Sequence, residues 1–267
     1  MEHSMTLVVF TFLSQLVIGG FSSLFIIETY KQKISKRSSL FSLMMILAIS
    51  VVAVIVSVFH LGHPFAAYKA IINFAESWLS REIVFFPLFI LFVFIYAFFA
   101  KTRKMKQITG WIAVMVGATA IASSAMIYII PAVPGWNNGM TFAAFFVTSL
   151  LLGPIFIQLL LSALGEKLVD FSFYTAVVAA IAILLNVLNI SIIKSGIAEA
   201  VETAALLTTS PLLWAKIILL VIGFCIAGYS IMNKKGCSLT SVSIIFFGFV
   251  IAEFIGRMLF YSSGIHL

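Results

Sequence analysis

Charged side chains are what this sequence has least of. Asp, Glu, Lys and Arg together make up 9% of its 267 residues, against 63% hydrophobic residues and a mean hydropathy of +1.20. A soluble domain needs far more charge to cover its surface, so that class is excluded. Cysteine is nearly absent as well. Cys225 lies in an apolar run and Cys237 follows Lys234 and Lys235, with no CxxC or other ligand spacing, which excludes a disulfide framework and an iron-sulfur cluster held by this chain. Acidic residues number nine against sixteen Lys and Arg, a formal charge of +7. That excess does not point to nucleic acid, because the basic residues form short clusters between apolar runs with no aromatic-basic stripe beside them. The opening "MEHSM" lacks a basic region and positive charges come only after the apolar run, so this segment is expected to stay in the membrane rather than to be cleaved as a signal.

What is abundant is long hydrophobic sequence. Runs of about 20 residues, the length that crosses a ~30 Å hydrocarbon layer, occur near 5–28, 39–61, 82–100, 108–130, 140–164, 171–193, 212–232 and 240–261. The expected fold is all-α, a polytopic membrane protein of eight transmembrane helices in one bundle, a single domain over residues 1–267. The connections after spans one, three, five and seven contain "KQKISKR", "KTRKMK", "GEKLVD" and "NKKG", which hold eleven of the sixteen Lys and Arg residues. Those loops are expected in the cytoplasm, which leaves both termini outside. The outer connections are short. In the one at 62–81, Phe65, Tyr68, Ile71, Ile72, Ala75, Trp78 and Leu79 recur at helical spacing opposite Lys69, Asn73 and Glu76, which predicts a short interfacial helix beginning at Pro64.

At ~1.5 Å per residue, His60 lies ~30 Å from the cytoplasmic end of its span, and Glu253 and Arg257 lie ~21 and ~27 Å from theirs. Glu82 opens the returning span at the level of His60, and Asn186, Asn189, Tyr128 and Lys216 fall in the same outer half. Each has a bland reading. His60 can cap a helix end, Glu82 suits the positive end of a helix dipole, Arg81 can snorkel to water, and Glu253 and Arg257, spaced i, i+4, can pair to reduce a burial cost of ~2.5–3.5 kcal/mol per charge. Their shared depth favours a functional reading, since unrelated structural polar groups would scatter through the membrane.

Five stretches then carry a resemblance: "QLVIGGF" in the first span, "HLGHP" ending the second, "LSREI" opening the third, "LLGP" in the fifth and "AEFIGRMLFY" in the eighth. In this order and layout the sequence resembles the membrane-anchor subunits of bacterial dimethyl sulfoxide reductase. The resemblance implies a subunit of the bacterial cytoplasmic membrane, in an anaerobic electron transport chain, that oxidises menaquinol. It also implies partners docked on the outer face, a molybdopterin catalytic subunit and an iron-sulfur electron-transfer subunit, with no molybdenum or cluster in this chain. By motif match, His60 of "HLGHP" and Glu82 of "LSREI" correspond to positions of quinol binding and oxidation, Arg81 adjoins Glu82, and Glu253 and Arg257 join the quinol-binding candidates through the match of "AEFIGRMLFY" alone. Arg81 is a departure, since the family carries a neutral residue before its glutamate.

The chemistry agrees with that implication. Quinol oxidation releases two electrons and two protons, so it needs bases within reach of the hydroxyls and an electron acceptor nearby, and Glu82 and His60 are suitable proton acceptors. Haem is not expected: His3, His60, His63 and His266 all lie at or beyond the outer interface, which rules out a two-haem chain across the membrane by bis-histidine ligation. A secondary transporter is the reading from another class. It predicts polar groups at the midplane and an internal repeat, and neither is visible. A structural anchor without quinol chemistry has the same sequence signature as an active one.

Overall fold

In hydrocarbon only a helix satisfies all its own backbone N–H and C=O groups, and each apolar run of this chain folds as one. The computed structural model describes residues 2–31, 34–60, 72–166, 171–233, 237–262 and 264–265, with backbone alone at 2–4, 59 and 60. The spanning helices are α1 (Glu2–Ile26, continued by a π-helical turn Ile27–Lys31), α2 (Lys36–His60), α3 (Trp78–Phe98), α4 (Arg103–Met126), α5 (Gly139–Ala163) and α6 (Ser172–Lys194). A short α7 (Ala198–Thr209) precedes the last two, α8 (Pro211–Met232) and α9 (Leu239–Ser262). Eight of these are long and apolar enough to cross a membrane. An even number of spans brings both termini to one end of the bundle. That terminal end also receives the α2–α3, α4–α5 and α6–α8 connections, and the basic clusters lie at the opposite, basic end.

Local chemistry sets the helix ends. Ser77, Thr102, Asn138 and Ser210 each cap the N-terminus of the helix that follows, their side chains accepting from backbone N–H groups two or three residues on. At the other end of α5 the backbone turns at Gly165, φ +78°, where the Glu166 N–H donates to Leu161 O (3.0 Å) and the Gly165 N–H to Ser162 O (3.1 Å). The Glu166 carboxylate then accepts from the Ser35 N–H at 3.2 Å, tying this turn to the start of α2. Hydrogen bonds from Ser35 and Ser38 hold that carboxyl below the usual carboxylate range. Pro154 lies inside α5 and donates no hydrogen bond to Leu150 O, and the Tyr174 hydroxyl of α6 takes that carbonyl at 3.0 Å.

Helices α1 and α5 form the axis of the bundle, with 72% and 67% of their most apolar stretch buried, and every other span is less than half buried. Around them α3 packs on α4, α6 on α8, and α8 on α9, while α1 also touches α2, α4 and α9. One buried core draws side chains from all eight spans.

Two of the terminal-end connections carry further structure. The connection between α6 and α8 contains α7, which buries Ala200, Thr203 and Ala204 on one face. Most of the interfacial helix expected in the 62–81 connection, residues 62–71, lies outside the described residues; Ile72 is helical, 73–76 form a turn, and Trp78 and Leu79 belong to the start of α3.

Candidate functional site

Arg257 is the hub of the terminal half. It projects from α9, is 4% exposed, and donates from Nη2 to Gln15 Oε1 of α1 at 2.7 Å. Because a guanidinium only donates, this bond also fixes which end of the Gln15 amide faces it. The Arg257 guanidinium stacks 3.6 Å above the Phe145 ring of α5, so a charge inside the bundle gains both an acceptor and a π face. Its neighbour Glu253, one turn earlier on α9, does not pair with it. Thr148 of α5 stands between them, donating to Glu253 Oε2 at 2.6 Å, and Lys216 of α8 approaches Glu253 Oε1 at 3.6 Å. The i, i+4 pair expected from sequence is therefore replaced by partners from three other helices.

Glu82, in the first turns of α3, is 8% exposed. The Ser124 hydroxyl of α4 lies beside its carboxyl without closing a well-formed hydrogen bond, and the phenols of Tyr128 and Tyr261 lie within its electrostatic reach. The Tyr261 hydroxyl donates to that of Tyr128 at 2.8 Å, and Arg257 acts on both phenols. Over this belt lies an aromatic cap. Trp136 stacks on Phe260 with centroids 4.8 Å apart and donates from Nε1 to Phe260 O at 3.0 Å.

The candidates from sequence are thus partly assembled. Glu82, Glu253 and Arg257 share one polar belt with Tyr128 and Lys216. Arg81 does not join it. Its guanidinium donates to Phe74 O and Ala75 O at 3.1 and 2.6 Å and covers the Trp78 ring at 4.0 Å, so it braces the turn before α3. The backbone of α2 ends at His60 on the terminal end, and the imidazole lies outside the described residues, as does His63. Among the described residues no three His, Cys, Asp or Glu gather as metal ligands. Sequence reasoning missed Gln15, Phe145, Thr148 and Tyr261, whose roles depend on helices far apart in the chain. It also missed a polar pair at the basic end, where the Tyr96 hydroxyl donates to Glu28 Oε2 at 2.6 Å in the π-helical turn.

Comparison with known proteins places this arrangement. Residues 1–263 match the family model described as DMSO reductase anchor subunit (DmsC). The protein belongs to that family. It is 25% identical to the C subunit of the anaerobic dimethyl sulfoxide reductase of Haemophilus influenzae, with 99% of this sequence and 95% of the relative covered. It is 28% identical to YnfH, an anaerobic dimethyl sulfoxide reductase subunit of Escherichia coli, with the same coverages. To the C subunit of that organism's anaerobic dimethyl sulfoxide reductase it is 27% identical, with 99% and 96% covered. The protein is accordingly a multi-pass anchor subunit of the bacterial cytoplasmic membrane.

In this anchor subunit four of the five stretches that carried the resemblance meet in space, and "HLGHP" lies outside the described residues beyond the backbone of His60. Gln15 of "QLVIGGF" holds Arg257 of "AEFIGRMLFY". Gly19 and Gly20 of the first stretch lie against Gly153 of "LLGP", whose missing side chain lets α1 and α5 touch along their backbones. Glu82 of "LSREI" lies within reach of Tyr261 of the last stretch. Those four stretches therefore form both the helix-crossing point and the polar belt.

Proposed function

We propose that this anchor subunit oxidises menaquinol at the terminal end of the bundle, with Glu82 and His60 as the proton acceptors. The electrons pass to an iron-sulfur subunit and on to a molybdopterin catalytic subunit, both docked over that end on the outer face of the membrane. The observation that carries this reading is Glu82 itself, a carboxylate buried where a span begins, with a serine hydroxyl beside it, two phenols within electrostatic reach and no cation paired with it among the described residues. A carboxylate that no cation holds can take up a proton and pass it on, and hydroxyl groups at its side can relay it.

Each quinol gives up two O–H protons and two electrons. Glu82 accepts one proton and His60, at the end of α2 on the same side, accepts the other, while the electrons leave for the docked acceptor. The apolar tail of the quinol lies among helices in lipid. This subunit supplies no haem, iron-sulfur cluster or molybdenum for that transfer. The polar belt sits toward one end of the bundle rather than at the midplane, which favours this reading over a transporter.

Replacement of Glu82 by Gln tests it. Quinol oxidation per assembled complex should fall about 10²-fold, the scale of losing a general base, while reduction of the catalytic partner by an artificial dye survives. Normal quinol turnover in the Glu82→Gln complex rejects the role. A purely structural Glu82 would instead lower the amount of complex and leave turnover per complex unchanged.

A further inference from the structure

Beside Arg257, side chains of α5, α6, α8 and α9 line a partly open cavity of about 100 Å³, bordered by Thr148, Asn186, Asn189, Lys216, Glu253 and Arg257 but not by Glu82. Lys216 reaches it by lying along α9 over Gly256, where a Cβ would stand 3.0 Å from its Cε and 3.2 Å from its Cδ. The absent side chain makes the seat for the lysine. The ammonium is 3.6 Å from Glu253, close enough to pair and too far to hydrogen-bond, so its N–H groups have no acceptor among the described residues. On the α6 wall, Asn189 Oδ1 is buried and accepts from nothing. Unmet donors on one wall and an unmet acceptor on another are costly in a dry cavity. Water is the group that can satisfy both, and the cavity is several times the ~10–15 Å³ needed to admit one molecule.

We propose that this cavity is a hydrated chamber through which the proton taken up by Glu82 leaves the protein, with Lys216 and Glu253 holding its waters. The proposal rests on the quinol reading of Glu82. Glu82 is covered, with the Trp136–Phe260 stack capping the belt, so a proton on it needs an internal polar route. Glu82 and the phenols do not border the cavity, and Arg257 is what links them to it. The Tyr261–Tyr128 hydroxyl pair stands on the Glu82 side, Arg257 one turn along α9 faces both phenols and the cavity, and Thr148 joins Arg257 to Glu253. Two quinol O–H bonds break. One proton forms an O–H bond on Glu82 and passes through the phenol pair and a water beside Arg257 to the chamber waters and out, the other forms an N–H bond on His60, and both electrons go to the docked acceptor. Arg257 relays no proton; it donates to Thr148, which in turn donates to Glu253 at the cavity wall.

Two measurements on the assembled complex test the chamber. In radiolytic hydroxyl-radical labelling, Leu213, which borders the cavity and is 4% exposed, should be oxidised, whereas Leu220 on the same helix, 0% exposed and away from it, should not. No labelling at Leu213 means a dry cavity and overturns the proposal, whatever the variants do. The second measurement uses Gly256→Ala, which displaces the Lys216 head without changing any charge, together with Lys216→Met and Glu253→Gln. Each should slow quinol turnover per complex by about 10-fold or more, less than the loss of a general base, raise its solvent deuterium isotope effect, and recover in part with azide, a small weak acid that carries protons. Parent-like turnover and isotope effect in all three overturn the proposal if Glu82→Gln is impaired. If Glu82→Gln is also parent-like, the quinol reading has failed instead.

Discussion

Gly19 of α1 and Gly153 of α5 meet backbone to backbone at the axis of the bundle. A Cβ on Gly153 would stand 2.5 Å from Gly19 Cα and from Gly20 N, and one on Gly19 would collide with Ser149 O. Small residues at such crossings let helices gain van der Waals contact where lipid offers no hydrophobic drive. Gly153→Ala must therefore push apart the two most buried helices, at a cost of about 1–3 kcal/mol or more, as for overpacking elsewhere. A lower thermal midpoint of the purified subunit in detergent is expected. An unchanged midpoint contradicts the crossing.

Gln15 is 0% exposed and its carbonyl is the shortest partner of Arg257. In Gln15→Leu that guanidinium loses an acceptor it cannot replace with water, and destabilisation of about 1.5–3 kcal/mol is expected, the range for a hydrogen bond to a charged group. Gln15→Glu restores an acceptor and should recover most of it. Thermal unfolding of the two variants side by side checks this. Equal losses in both would mean that packing, not the hydrogen bond, is what Gln15 contributes.

The spans were legible because hydropathy sums over a segment and needs no partner: every apolar run became a helix, with ends within a few residues of those expected. The level of the site was legible for a similar reason, since depth follows from counting residues along a helix. Partnership was not. Arg257 lies one turn from Glu253, yet its guanidinium goes to Gln15, 242 positions away, and nothing along the sequence distinguishes those choices. Arg81 shows the converse. It adjoins Glu82 in sequence, but successive helix residues point about 100° apart, and it braces the preceding turn instead. Helix α7 escaped notice because its buried face is made of Ala and Thr, which raise hydropathy too little to stand out.

The Glu166 carboxylate joins the end of α5 to the start of α2, and it is partly exposed there. Its folded value lies below that of the free side chain, so its contribution is present above the usual carboxylate range and is lost as pH falls through the depressed value. Acidification should loosen the Ser35 amide first. Hydrogen exchange of the segment around Ser35 in the parent and in Glu166→Gln reads this out: protection should fall on acidification in the parent and be low at every pH in the variant. Identical protection in the two proteins would remove the tie.

Orientation decides where the protons of the proposed reaction go. The structure puts Lys36 and Lys104 at one end of the bundle, at the starts of α2 and α4, and Glu76 and Glu199 at the other, before α3 and in α7. The excess of Lys and Arg in the connections of the first end predicts that it faces the cytoplasm. In a background with Cys225→Ser and Cys237→Ser, single cysteines at these four positions can be labelled from outside intact cells with a membrane-impermeant maleimide. Labelling is expected at 76 and 199 and not at 36 and 104. Because the helices fix these positions in pairs, any mixture within a pair would contradict the bundle itself. A clean reversal would keep the bundle and invert its placement: Glu82, the polar belt and the docked iron-sulfur subunit would then lie on the cytoplasmic side, and quinol protons would be released into the cell.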